Sequence, residues 1–369
     1  MIGSALVLGP PTVAVYRFPT PATESDGTLD WDATVAVVVR VSAGGQEGLG
    51  WTYSGSGAAA VVKDQLEPAI AGRDPLDLAG AWAAMHRACR NIGSKGMAMQ
   101  AISAVDVALW DLKARNLGVP ITVLMGKVRD RVPIYGSGGF ISSSTDVLAE
   151  DVAAWKAAGC AAVKIKIGKD GGGDPEWDLR RVETLRELAG SDVRLMVDAN
   201  GAYRIGQARR VGAELDSRGV CWFEEPVSSD DTAGLASVRA ACGADVTAGE
   251  YISDVYDAAD LAPVVSCLQL DATRCGGYTG FLRCAAVAAA NNLDVSCHCA
   301  PALHAPVAAA LPHLRHIEWF TDHVRLEPHL VDGTPCAREG ALHLAIRSAG
   351  HGMTLAGGAE DYLVSRSPA

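Results

Sequence analysis

From residue 132 onward the chain alternates between short apolar runs and longer amphipathic ones. VPIY (132–135), AAVKIKIG (161–168), VRLMVDA (193–199) and VCWFEEP (220–226) read as strands. Between them AEDVAAWKAAG, DLRRVETLRELAG and GQARRVGAELDSRG repeat apolar positions at helical spacing and each closes on a glycine, which supplies the left-handed turn needed before the chain re-enters a sheet. Weaker units of the same kind reach Ile317. Parallel strands need such helical crossovers, and eight units that close place all C-terminal strand ends on one face. Upstream, residues 34 to 42 (TVAVVVRVS) are β-branched and run into Gly44 and Gly45, a strand entering a hairpin whose return carries Gly50, Trp51 and Tyr53. In residues 97 to 115, Ala101, Val105, Ala108 and Leu112 recur at helical spacing and build one face for burial. The pattern predicts an α/β fold: a modified TIM-type (β/α) barrel over 128–330 and an N-terminal α+β capping domain over 1–127. A segment over 331–369, with alternating stretches such as LHLAI (342–346), returns to the cap.

Polar residues punctuate the ends of these runs: Lys164 and Lys166, Asp198, Glu224, Glu250, Asp271, His298 and Glu318, from Lys166 onward at intervals of 20 to 32 residues. In a barrel they share the catalytic face. Any one acid at such a loop often only caps the next helix. Three on consecutive strands, Asp198, Glu224 and Glu250, cannot all stay ionised without a cation, and all-oxygen ligation with room for water and substrate suits Mg²⁺. Glu225 adjoins Glu224 and is expected to point the other way. Lys164 and Lys166, two apart on one strand, face the barrel interior together, where mutual repulsion lowers a pKa and frees an amine to act as base. His298 beside Asp271 makes a second acid/base group, its tautomer fixed by the carboxylate. Glu318 is expected to stay protonated and to hydrogen-bond an oxyanion. Trp51 and Tyr53 are candidate substrate contacts from a cover over the site, and Thr20 to Trp31 forms a mainly polar lid.

Composition narrows the classes. With 369 residues, 49% hydrophobic and 20% charged, the chain suits a barrel plus a smaller domain. A formal charge of −11 argues against nucleic-acid or anionic-membrane partners, while a local cation with lysines still admits an anionic substrate. The N-terminus lacks a basic start with an apolar core and small-residue cleavage site, so a cytoplasmic location is expected. Ten scattered cysteines, such as Cys221 and Cys267, read as small buried hydrophobes. The triplet Cys297-His298-Cys299 suggests soft-metal ligation, but strand neighbours point to opposite faces and no CxxC partner exists. GKDGGGD (168–174) lacks the P-loop ending.

In order along the chain, AISAVDVALWDLKARNLGVPITVLMG (101–126), KIKIG, VDANGAY, FEEP, AGE, DATRCGGYTG, SCH and IEW resemble the enolase superfamily, specifically its mandelate racemase subgroup. The resemblance covers nearly the whole chain. It implies Mg²⁺ ligation by Asp198, Glu224 and Glu250, a base at Lys166 with Lys164 beside it at the substrate carboxylate, a His298–Asp271 dyad opposite, Glu318 at the enolate oxygen and Asn200 near the substrate. Muconate cycloisomerases and dipeptide epimerases place a lysine on the sixth strand, where this chain has Asp271 and Thr273; mannonate-type dehydratases carry histidine where it has Asn200. The implied chemistry is proton abstraction α to a carboxylate through an enediolate. Dehydration of an acid sugar to a 2-keto-3-deoxy acid is favoured over racemisation or epimerisation of a 2-hydroxy acid and over a silent binding protein on the same fold. Similar proteins are homo-oligomers, so one is expected here.

Overall fold

The structure, a computed structural model, describes residues 6–344 and 348–367. Strands β1 (Thr12–Ser25), β2 (Asp30–Ala43) and β3 (Gln46–Tyr53) form an antiparallel sheet. The β2–β3 turn is Gly44-Gly45, with φ of +62° and +76°, the left-handed pair that a two-residue hairpin turn requires. Helix Met97–Asn116 lies across β2 and β3 with Ala101, Val105, Ala108 and Leu112 buried, the face expected from periodicity. Its approach is so close that a Cβ on Gly50 would stand 2.2 Å from the carbonyl oxygen of Ala104. A Cβ on Gly48 would stand 2.1 Å from that of Ala108.

Eight parallel strands close the barrel: β4 (Arg131–Gly138), β5 (Ala162–Lys166), β6 (Arg194–Asp198), β7 (Val220–Glu224), β8 (Asp245–Ala248), β9 (Cys267–Leu270), β10 (Asp294–Cys297) and β11 (Leu314–Phe320), with β11 pairing back onto β4. Each is followed by a helix, the last being Thr321–Leu330. Aspartates 174, 231 and 254 cap three of these helices by accepting backbone N–H groups of the first turn. Tyr135, Ala162, Met196, Trp222 and Cys267 pack together and plug the barrel beneath the polar residues. The cap is tied to the barrel by Asp106, whose carboxylate accepts from the backbone and hydroxyl of Thr279 at 2.9 and 2.7 Å.

After the barrel, the hairpin Cys336–Arg338/Ala341–His343 adds to β4, and Leu363–Arg366 pairs with β1 in the capping sheet. Of the LHLAI run, Leu342 and His343 lie in a strand, while residues 345 and 346 fall outside the described residues. All ten cysteines are free thiols; Cys267 is buried as expected, whereas Cys221 is exposed because it takes an outward position on β7. Among the described residues no helix is long and apolar enough to cross a membrane.

Candidate active site

Strand register assembles the site. Lys166 stands opposite Asp198, Asp198 opposite Glu224 and Glu224 opposite Thr247, so one row of the barrel carries a lysine and two carboxylates at its C-terminal rim. Glu250 lies two residues past the end of β8, Asp271 one past β9 and His298 one past β10, while Glu318 sits within β11. Oxygens of Asp198, Glu224 and Glu250 all lie within 4.8 Å of one another, and all three side chains are buried. Asp198 accepts from Lys166 Nζ at 2.5 Å and from the Asn200 amide at 2.9 Å. Glu224 accepts from Lys164 Nζ at 2.5 Å and from the Trp222 indole at 2.8 Å. Glu250 meets Arg274 at 3.1 Å through Oε1, while its buried Oε2 has no hydrogen-bond partner.

Burial, then the charge of Asp198, pushes Glu224 up to about 7 despite Lys164. Burial would raise Asp198 too, but Lys166 and Lys164 hold it below the usual carboxylate range. Such a group of buried acids, with one oxygen left without a hydrogen-bond partner, has the composition and spacing for a small divalent cation. Among the described residues a second group, His298, Cys299 and Glu318, also has donor atoms within 4.8 Å of one another.

Several expectations about charge and direction are corrected by these contacts. Repulsion between the lysines is present, Lys164 lowering Lys166, but the surrounding carboxylates outweigh it. Burial disfavours both ammonium groups, but Glu224 and Glu318 raise Lys164, and Asp198 raises Lys166, well above the ordinary lysine value. Lys164 is fully buried and bridges Glu224 and Glu318, one layer beneath the chamber that Lys166 reaches. Glu318 is not a protonated acid here. It faces Lys164 at 2.9 Å and accepts from Ser137 Oγ at 2.6 Å and the Cys299 amide at 2.7 Å; burial would raise it, but Lys164, then His298 and Lys166, override burial and hold it well below the usual range.

Glu225 does not turn away. The strand ends at Glu224, the backbone at Glu225 has φ +38°, and its carboxyl is buried where burial and Glu250 push it well above the ordinary value. Cys299 likewise escapes strand alternation, with φ +49° just past β10, and its thiol stands 3.3 Å from His298 Nε2.

His298 Nδ1 lies 2.8 Å from Asp271 Oδ2, the expected pairing. Burial disfavours the imidazolium, but Glu250 and the Asp271 hydrogen bond outweigh it and raise the histidine pKa. Asp271 is itself held low, burial being overcome by its bond to His298, and its other oxygen accepts from the Thr273 amide at 2.7 Å. Lys166, Asn200, Glu250, Asp271 and His298 open onto one chamber of about 420 Å³.

The far ends of β1 and β2 cover that chamber. Beyond a register shift between Pro19 and Glu24, the hairpin continues as Glu24↔Trp31 and Ser25↔Asp30, and Asp26, Leu29 and Trp31 face inward. Two of those three are apolar, so the lid is less polar on its inner side than the segment's composition implies. Trp31 packs edge-on against Phe140 at 5.3 Å, and Phe140 against Phe320 at 5.7 Å.

Tyr53 lines the chamber, its ring centroid 4.0 Å from that of His323 and tilted 41° to it, and its hydroxyl lies 3.3 Å from Glu327. Trp51 is not a substrate contact. It lies two residues further from the rim, buried in the core with its ring 6.1 Å from His351. Sequence reasoning passed over Arg274 and His323, both lining the chamber. Arg274, three residues beyond Asp271, and His323, five beyond Glu318, follow strand-end acids, the signal that could have marked them.

The family model described as the mandelate racemase / muconate lactonizing enzyme N-terminal domain matches residues 12–126, and the enolase C-terminal domain-like model matches residues 147–359. The chain is 32% identical over 311 residues to L-talarate/galactarate dehydratase of Salmonella typhimurium, covering 81% of this chain and 77% of that one. It superposes with a TM-score of 0.92 on a mandelate racemase/muconate lactonizing enzyme-like protein from Rubrobacter xylanophilus, at 41% identity and covering 97% and 100% of the two chains. A racemase from Streptomyces coelicolor with bound magnesium superposes at 0.90, with 29% identity and the same coverage.

Proposed function

The chain belongs to the mandelate racemase subgroup of the enolase superfamily and is a Mg²⁺-dependent enzyme; from this we propose that it dehydrates an acid sugar to a 2-keto-3-deoxy acid. Asp198, Glu224 and Glu250 would hold the ion, which supplies positive charge against the three carboxylates and against the charge that grows on the substrate when its α-proton leaves. Lys166 Nζ takes that proton. Asp198 accepts from this amine at 2.5 Å and so holds it at the edge of the carboxylate cluster. Lys164 and Glu318 form a buried pair beneath, which keeps the adjoining wall polar and fixed.

His298, across the chamber, delivers the proton from Nε2 to the departing β-hydroxyl, so that the C–O bond breaks, water leaves and the enol becomes the keto acid. Asp271 on Nδ1 keeps Nε2 pointed at the chamber and stabilises the imidazolium that gives up the proton. The observation that supports the reading most is this pairing of Lys166 and an Asp-oriented His298 on one chamber beside the carboxylate cluster. Without a β-leaving group the same two bases would invert the α-carbon, a second reading favoured by the likeness to the Streptomyces racemase.

Incubation with acid sugars and Mg²⁺ in D₂O, followed by semicarbazide detection of keto acids, separates the two. Keto acid formation is expected; deuterium uptake with inversion and no keto acid would reject dehydration. Lys166→Ala is expected to abolish α-exchange and His298→Asn to abolish elimination.

A further inference from the structure

The lid end of the chamber is built differently from its metal end. Each cation on the wall already faces a carboxylate: Lys166 meets Asp198 at 2.5 Å, and Arg274 meets Glu250 at 3.1 Å and Asp271 at 3.6 Å. Among the described residues the charged groups toward the lid are acids. Asp26 sits at the hairpin tip, its Oδ1 taking the Thr28 and Leu29 amides at 2.6 and 2.9 Å. Asp322 is buried, accepting from Thr34 Oγ1 at 2.5 Å and paired with Arg325, which does not line the chamber.

Hydroxyls on this wall are turned into acceptors. Thr34 donates to Asp322 and Ser54 to Gln100 at 2.6 Å, leaving oxygen lone pairs for a ligand. His323 is the complementary donor. Its Nδ1 accepts the Ala300 amide at 2.9 Å, so the proton resides on Nε2, and burial pushes its pKa down to about 4, keeping the ring neutral. The lid end thus offers acceptors, two acids and one neutral donor. A second carboxylate would lose its water there without gaining a free cation, whereas an alcohol can both donate and accept.

We propose that the substrate is a monocarboxylate, a polyhydroxy acid whose uncharged hydroxyl-bearing end seats beneath the hairpin against Asp26, Asp322 and His323, and that dicarboxylates are disfavoured. This rests on the reading of the site as acting α to a carboxylate, and the test separates the two. Binding is measured calorimetrically, with Mg²⁺, on Lys166→Ala, which lacks the amine that takes the α-proton, using five- and six-carbon aldonates and the matching aldarates.

The best aldonate is expected to bind at least tenfold more tightly than its aldarate. Asp26→Asn, placed in the Lys166→Ala background, keeps the Oδ1 acceptor of the turn and is expected to narrow that ratio at least threefold. Aldarates binding as tightly as aldonates, no aldonate binding, or an unchanged ratio in the Asp26→Asn variant would each overturn the assignment. Failure of the parent reading has a different signature: no 2-hydroxy acid of either class exchanges its α-proton in D₂O with the unmodified enzyme.

Discussion

Replacing Trp31 by alanine tests whether the hairpin is held over the chamber by its aromatic contact. The indole packs edge-on against Phe140 with centroids 5.3 Å apart and planes at 88°. Such a pair contributes about 1 kcal/mol beyond area burial, and covering roughly half of a tryptophan side chain adds about 2 kcal/mol at about 25 cal/mol per Å². Losing about 3 kcal/mol raises the open population of this segment by about 100-fold, at about 1.4 kcal/mol per factor of ten. The indole N–H also donates to the half-buried Glu24 at 2.9 Å, a contact whose loss adds to this figure. Hydrogen exchange read by mass spectrometry over residues 24–31 is the assay, because the amides near the paired positions Glu24↔Trp31 and Ser25↔Asp30 report opening of the tip alone. Protection should fall by one to two orders of magnitude there while the barrel strands stay unchanged. Protection within twofold of the parent protein would refute the idea that this aromatic contact holds the lid.

Glu250→Gln keeps an oxygen but removes a charge, and is expected to weaken Mg²⁺ at least 100-fold. At a concentration 100 times the parent's dissociation constant, the stabilisation by the ion should fall from about 2.7 to about 0.4 kcal/mol, read from Mg²⁺ titration of thermal unfolding. Gly50→Ala places a Cβ 2.2 Å from the Ala104 oxygen and should cost about 1–3 kcal/mol or more in denaturant unfolding, since backbone cannot give way cheaply; an unchanged midpoint would show that the helix shifts freely. Glu327 is pushed up to about 8, chiefly by burial, so its folded form favours the proton: its contribution is full below the ordinary carboxylate pKa and is lost as pH rises through about 8. Glu327→Gln should therefore gain stability relative to the parent between pH 5 and 8, and a difference in melting temperature constant over that range would contradict the assignment.

The barrel was legible because its signal is periodic and repeated: strands ending on or just before a polar residue alternate with helices, three of which close at Gly159, Gly190 and Gly219, so errors in one unit are corrected by the next. The capping sheet was less so. β1 went unread, since Pro19 and Pro21 break the pattern of a strand that nevertheless spans Thr12–Ser25. Alternation fixes which side of a strand a residue takes but not its depth, which is why Trp51 and Tyr53, on the same side, end in the core and in the chamber. It also ceases at the strand end, where positive φ at Glu225 and Cys299 returns both side chains toward the site. Charge states were the hardest to foresee. Residue types identify Lys164 and Glu318, but only their 2.9 Å separation shows that each keeps the other ionised. Arg274 and His323 sit in loop and helix segments after the strands, and folding alone brings them to the chamber.

The hairpin over the chamber belongs to the capping sheet, whereas every proton-handling group belongs to the barrel. Changes that reshape which molecules are admitted can accumulate in residues 20–31 without disturbing the register that aligns Lys166, Asp198 and Glu224. Selectivity and reactivity are therefore partly free to drift separately in descendants of this chain, since the dozen positions of the hairpin lie outside the strands that carry the proton-handling groups.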